Sequence, residues 1–413
     1  MQNSLDSNKL TDHLFRHNSG KMVSILAKRF GYEYFEDITD SVQDAFESAI
    51  RTWKFGSIPT NPSGWLFKVA QNNLLNKLKR KKISNLHYEY YTSFELQENE
   101  AEESALKLLI HCSSMQVSNK KKIIFLLYFL CGFSYNEIAA ALFLNLEGVK
   151  KMILRNKETF KRHAERFDNF DMNMIKNYDI PIQVIYLLFN AGYKSSKNLH
   201  NIQLQLCFEA IRLAKLLHSY IPSNAKLNSL LALMFFNVSR FPARVSKESW
   251  VTLEKQNRKK WNFTFIFEGF YYLNVAKDNL AEEIETYYLE ALISSIHCSS
   301  LSYQSTDWKS ISFLYRQLEI LKPDSLTVKL NRLIAESNVK NVNLILSELD
   351  SFEQSIDDKL AYYFYTTKAH LCLKLQNHKL AIDTYQKALQ FTHNKFDINF
   401  VKQKVEDIKG KYL

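Results

Sequence analysis

The chain has 413 residues, 46% of them hydrophobic, with nine glycines, six prolines and a formal net charge of +11. That length exceeds one typical domain, the apolar content excludes a disordered polymer, and the scarcity of chain breakers points to an all-α protein. The charge favours an anionic partner, yet residues 1–170 carry 24 basic and 19 acidic groups, only +5 of the excess, so local clusters must mark any nucleic-acid surface.

Residues 10–82 read as helices broken by a loop from Phe55 to Gly64 that holds both Gly and Pro signals. The stretch from Trp65 to Lys82 is amphipathic. Trp65, Leu66, Val69, Leu74, Leu75 and Leu78 face a core, while Lys68, Asn72, Asn76 and Lys79 form a polar stripe flanked by Asn73, Lys77 and Arg80. From 68 to 82 there are six basic residues and no acidic one, a composition suited to contacting phosphates and bases. A solvated helix whose basic last turn suits the helix dipole would read the same way. Residues 83–104 follow as a polar connector, with six glutamates and no basic residue from Glu89 to Glu103.

Residues 105–166 are helical again and contain FSYNEIAAALFLNLEGVKKMILRNKETFKRH. Ser134 with Glu137 three residues later forms a capping-box pattern. A first helix runs to about Leu142, Phe143-Leu144-Asn145 makes a turn, and a second helix starts near Leu146. Ala139 lets the two helices cross closely, and Leu146, Val149 and Ile153 make an i, i+3, i+7 buried seam. The opposite face carries Glu147, Lys150, Lys151, Arg155 and Lys157, residue types suited to a major groove. A left-handed turn would strain Phe143, so the turn is expected to be built differently. An ordinary helical hairpin with a basic face is the plainer alternative.

Residues 175–413 form a third block of amphipathic helices with short breaks. Its last part resembles a tetratricopeptide repeat, with small Ala369, Ala381 and Ala388 where paired helices approach and Tyr365 and Tyr385 at large packing positions. Such units bury their faces by stacking on neighbours; an irregular helical bundle is the alternative.

Five widely spaced cysteines form no C-x-x-C pair, so neither a zinc site nor a disulfide framework is expected, and no metal or cofactor is assigned. A polar N-terminus and the lack of an 18-residue apolar window predict no signal peptide, no membrane span and a cytoplasmic protein. No Gly-rich phosphate loop, H-E-x-x-H, G-x-S-x-G or close His/Cys/Asp set is present, so no catalytic residue is named and an enzyme is not expected.

Together these segments resemble a sigma factor of the extracytoplasmic-function (ECF) group with a long tetratricopeptide-like extension. The resemblance rests on EDITDSVQDAFESAIRTW (36–53), NPSGWLFKVAQNNLLNKLKRKK (61–82) and residues 120–162, and beyond them on VIYLLFNAGYKSS, LLALMFFNVSRFPAR and WVTLEKQNRKKWN. It implies a region-two-like domain at 10–82, an acidic linker at 83–104, a region-four-like helix-turn-helix domain at 105–166 and a helical extension at 175–413. By position it implies that Asp40, Gln43, Asp44 and Phe46 dock on the clamp helices of the RNA polymerase largest subunit. Lys68, Asn72, Asn73, Asn76, Lys77 and Arg80 would then contact the −10 element. Glu147, Lys150, Lys151 and Arg155 would read the −35 element, with region four on the polymerase flap. The acidic linker would thread a polymerase channel, and the extension would regulate in cis through an intramolecular or partner contact. A tetratricopeptide regulator that binds DNA without polymerase is the competing reading.

Overall fold

The computed structural model describes residues 2–53, 58–81, 98–162, 177–194, 202–246, 249–281 and 284–412. The all-α expectation holds, with one small departure: Val245–Ser246 pairs antiparallel with Ser249–Trp250. The chain divides into two compact units, residues 1–193 with 204–217, and residues 194–203 with 218–413.

The first unit opens on α1 (Gln2–Phe30), α2 (Phe35–Thr52) and α3 (Pro62–Arg80). In α2 the buried residues Phe35, Ile38, Val42, Ala45, Phe46 and Ala49 recur every three or four positions, one stripe of a helix. That stripe packs on α1 and α3, while α1 contributes Met22, Ile25 and Leu26. Four helices follow: α4 (Glu98–Ser114), α5 (Asn119–Phe129), α6 (Tyr135–Ala141) and α7 (Leu146–Arg162). Each large apolar side chain so buried stabilises the unit by about 1.5–3 kcal/mol.

Three features of the structure bear on the expected division of the chain. The blocks 10–82 and 105–162 fall within one compact unit. The Phe35 ring of α2 lies 5.3 Å from that of Phe125 and 5.1 Å from that of Phe129. A Cβ on Gly20 of α1 would lie 1.9 Å from the Leu130 carbonyl oxygen, so only glycine allows this approach. Next, the connector does not extend to residue 104. Helix α4 begins at Glu98 and packs on α1, burying Ser104, Ala105 and Leu106. Its Glu100 pairs with Arg29 at 2.7 Å and Lys28 at 3.5 Å. Burial pushes the Glu100 carboxyl up, but the two cations outweigh that and hold it below its ordinary value. The earlier part of the connector lies outside the described residues.

The last feature concerns the start of the third block. Helices α8 (Asp179–Lys194) and α9 (Ile202–Tyr220) contribute residues up to 193 and from 204 to 217 to the first unit. Leu188, Glu209 and Leu213 line one small cavity with Lys21, Ala105 and Leu130.

The second unit holds α10 (Ala225–Ser239), α11 (Phe263–Asp278), α12 (Thr286–Ser299), α13 (Trp308–Leu321), α14 (Leu326–Glu336), α15 (Val342–Asp350), α16 (Asp358–Lys374), α17 (His378–Ala388) and α18 (Lys395–Tyr412). Consecutive helices pack on one another, in the manner of a helical solenoid. Ala369, Ala381 and Ala388 are fully buried where α16 meets α17, and Tyr385 is buried beside them. An ion cluster ties three helices: Arg332 of α14 bonds Glu319 of α13, Glu348 of α15 and, at 3.0 Å, Glu336 of its own helix. All five cysteines are buried and unbridged.

Candidate nucleic-acid interface

Helix α3 starts where Asn61 Oδ1 accepts the Gly64 amide at 2.9 Å and Pro62 occupies the first turn, where its missing N–H costs nothing. Leu66, Phe67, Ala70, Leu74, Leu75 and Leu78 are buried. That fixes the opposite face toward solvent: Lys68, Asn72, Asn76, Lys79 and Arg80 are exposed, with Asn73 and Lys77 half-buried. Two cations on this face are already compensated by α2. Lys77 Nζ lies 2.9 Å from Asp44, and Lys81 Nζ 2.8 Å from Asp37.

On α2, Gln43 is exposed and Asp40 and Asp44 are half-buried. Phe46 is not on that face. It is buried, and its ring meets Phe15 edge-on at 5.0 Å, because it falls on the apolar stripe of α2. Phe46 therefore supports the helix from the core and offers no surface. Gln43 is engaged as well: its Nε2 donates to the Tyr128 hydroxyl at 3.2 Å. Tyr128 stacks on Tyr135 at 5.2 Å, with the two hydroxyls 3.2 Å apart. Nothing in the sequence reading singled out Tyr128. Its one signal is a polar-tipped ring inside the apolar run from Ile123 to Phe133.

Helices α6 and α7 are built as their sequence indicates. Ser134 Oγ accepts the Glu137 amide at 3.3 Å while Glu137 Oε2 accepts the Ser134 amide at 2.9 Å, a complete capping box. The turn overturns its expectation. Phe143 adopts the left-handed conformation at φ +54°. The Leu144 amide reaches back to the Ala139 carbonyl at 2.8 Å, the six-to-one bond of a Schellman motif. This bond supplies a partner to an otherwise orphan carbonyl and holds the strained residue in place. The Phe143 ring is 67% exposed and contributes little burial in return.

Asn145 Oδ1 then accepts the Glu147 amide at 2.9 Å to start α7. Ile138, Val149 and Ile153 are buried between the two helices, and Leu146 is half-buried. Glu147, Lys150, Lys151 and Arg155 are all exposed on the outer face. Glu147 and Lys150 pair at 2.8 Å, a solvated pair worth little to stability. Gly148, on this helix, has open space where a Cβ would stand. The Lys157 side chain lies outside the described residues.

Each face thus presents donors and cations on a rigid helix, the arrangement needed to hold phosphates and reach base edges. The arrangement contains no nucleophile–base pair, and among the described residues no cluster of His, Cys, Asp and Glu could hold a metal. No described helix is long and apolar enough to cross a membrane.

Residues 14–83 match sigma-70 region 2, and residues 181–277 match a family of unknown function (DUF6596). An uncharacterized protein of Rhizobium meliloti (strain 1021) is 24% identical over 395 residues, 92% of this chain and 92% of that protein. No solved structure matches. The region 2 match falls on α1, α2 and α3, and points to a sigma-factor-like, non-enzymatic function in transcription initiation. Its implied partners are core RNA polymerase and promoter DNA.

Proposed function

We propose that the chain is a sigma factor of the extracytoplasmic-function kind, working in the cytoplasm. The region 2 match carries this reading, because it covers both the Asp40, Gln43 and Asp44 face of α2 and the basic face of α3. In this reading α2 docks on the polymerase clamp. Lys68, Asn72, Asn73, Asn76, Lys77 and Arg80 hold the −10 element and capture bases as it opens. Unstacking costs a few kcal/mol per base, which contacts to the extruded bases must offset. Helix α7 lies in the −35 major groove through Glu147, Lys150, Lys151 and Arg155, with α6 crossing the backbone. The α16–α17 pair is tetratricopeptide-like, and the second unit regulates in cis.

The test is run-off transcription with core polymerase and the full chain on promoter fragments, with co-purification of core. A specific start site that depends on the chain supports the reading. DNA binding without polymerase retention or initiation sinks it in favour of a polymerase-independent regulator. Ending the chain near residue 170 would be a poor control, since α8 and most of α9 belong to the first unit.

A further inference from the structure

The second unit contains a cleft of about 350 Å³ framed by α12, α13, α14, α16, α17 and α18. One wall is aromatic. The Trp308 ring lies 4.7 Å from Tyr303 and 5.4 Å from His297, and its Nε1 donates to the Tyr303 carbonyl at 3.1 Å, which fixes the indole. Two polar groups on the lining bear on what it could hold. His297 Nδ1 is buried without a hydrogen bond. Lys404 is half-buried and, among the described residues, makes no ion pair; its ammonium rests 5.6 Å from the Phe400 ring, and burial first, then Lys255, hold it below its ordinary value, with Glu254 and Asp407 opposing them in part. A buried polar nitrogen left unpaired is costly, so such a group in a cleft points to a ligand.

The sign of the field selects the ligand's charge. Burial first, then Arg240 and Arg258, push His297 down to about 3. Burial first, then Lys374 and Lys404, push His370 down to about 4. Both imidazoles are therefore neutral near pH 7; burial, which penalises charge of either sign, is the main cause, and the positive field comes from Arg240, Arg258, Lys374 and Lys404. The one carboxylate on the lining, Glu254, is exposed at the rim, whereas Lys404 is partly desolvated. A neighbouring cleft of about 330 Å³ shares Thr252, Phe400 and Lys404, and there the carboxylate of Asp407 is engaged by Lys255 at 2.8 Å. A single ammonium on the lining, without an ion pair of its own, suits one negative charge better than a phosphate's near two. The volume is at the small end of ligand sites, roughly 300–1,000 Å³.

We propose that this cleft binds a small aromatic carboxylate, its ring against Trp308 and Tyr303 and its charge on Lys404. The test is calorimetric titration of the full chain with indole-3-acetate, indole and tryptamine, which share one ring system and differ in charge. Indole-3-acetate is expected to bind at least about tenfold tighter than the other two. Lys404→Met is expected to erase that preference. Thr366→Trp, which fills the cleft from a half-buried position, is expected to abolish binding of all three, with helicity unchanged in both variants. No binding of any probe at millimolar concentration overturns the proposal. So does tryptamine or indole binding as tightly as the acid, or an undiminished preference in a folded Lys404→Met. The charge series on the unaltered chain decides the matter even where a variant fails to fold.

Discussion

Asp44 and Lys77 meet across the first unit at 2.9 Å, joining the helix proposed to dock on polymerase to the helix proposed to hold the −10 element. Both side chains keep some solvent access, so the pair contributes at most about 1 kcal/mol of stability. Its larger consequence is to hold the two faces at a fixed offset. Asp44→Asn is expected to leave the unfolding midpoint nearly unchanged while weakening retention by core polymerase several-fold. Unaltered retention, read by co-purification against the unmodified chain, would remove Asp44 from the docking face.

The Gln43–Tyr128 bond engages the Gln43 amide on that same face. Tyr128→Ala removes the hydroxyl partner and the stacked ring, and frees Gln43. If docking requires Gln43 uncovered, core polymerase binds this variant more tightly than the unmodified chain. Tyr128→Phe, which retains the stack on Tyr135, is expected to fall between them. Equal affinities for all three would show that Gln43 takes no part.

Phe143 offers a direct measure of backbone strain. A left-handed conformation costs a side-chain-bearing residue about 1–2 kcal/mol, part of which glycine returns as unfolded-state entropy. Phe143→Gly is therefore expected to raise stability by roughly 0.5–1 kcal/mol in urea unfolding. A net loss would mean that the exposed ring makes contacts outweighing the strain.

Lys150 and Arg155 stand exposed on the outer face of α7. Substituting either by alanine is expected to weaken −35 DNA binding by ~1–3 kcal/mol for a base contact, or to lower the salt dependence by about one charge for a phosphate contact. Gel-shift titrations at two salt concentrations separate the two outcomes. Unchanged affinity and start-site use in both variants would end the assignment.

Glu336 is fully buried, and Arg316, Lys340 and Arg332 hold it below its ordinary 4.5 although burial alone would raise it. Its folded pKa lies below the unfolded one. The stability it contributes is complete above about pH 4.5 and is lost as pH falls through the folded value. Arg332→Met leaves three carboxylates short of a partner and is expected to cost about 3–5 kcal/mol at neutral pH. That deficit should narrow in acid, where the carboxylates are protonated. Urea unfolding followed from neutral pH down through this range checks both the size and the trend.

Much of this was legible in the residues themselves. Helix type, the Ser134–Glu137 cap, the Leu66–Leu78 apolar face and the exposed basic rows of α3 and α7 follow from local rules, because capping and amphipathic spacing act within a few residues. What failed were statements about which surface meets which. Phe46 was placed on a docking face by analogy of position, when its place on the 35–49 stripe of α2 sends it inward. The glutamates at 98–103 were read as connector, when Arg29 and Lys28, about 70 positions earlier, hold one of them. The turn at Phe143 was expected to avoid the left-handed region, and a backbone bond from Leu144 to Ala139 keeps it there.

The sequence by itself determined the helices, their caps and the solvent-facing charge, since each depends on neighbours three or four residues away. Only the tertiary structure decided that Phe35 meets Phe125 and Phe129, that α8 and most of α9 group with the first unit, and that Tyr128 bonds Gln43. Those outcomes depend on apolar faces finding partners far along the chain. Apolar burial is non-directional, so composition says that a face must be covered without saying by what.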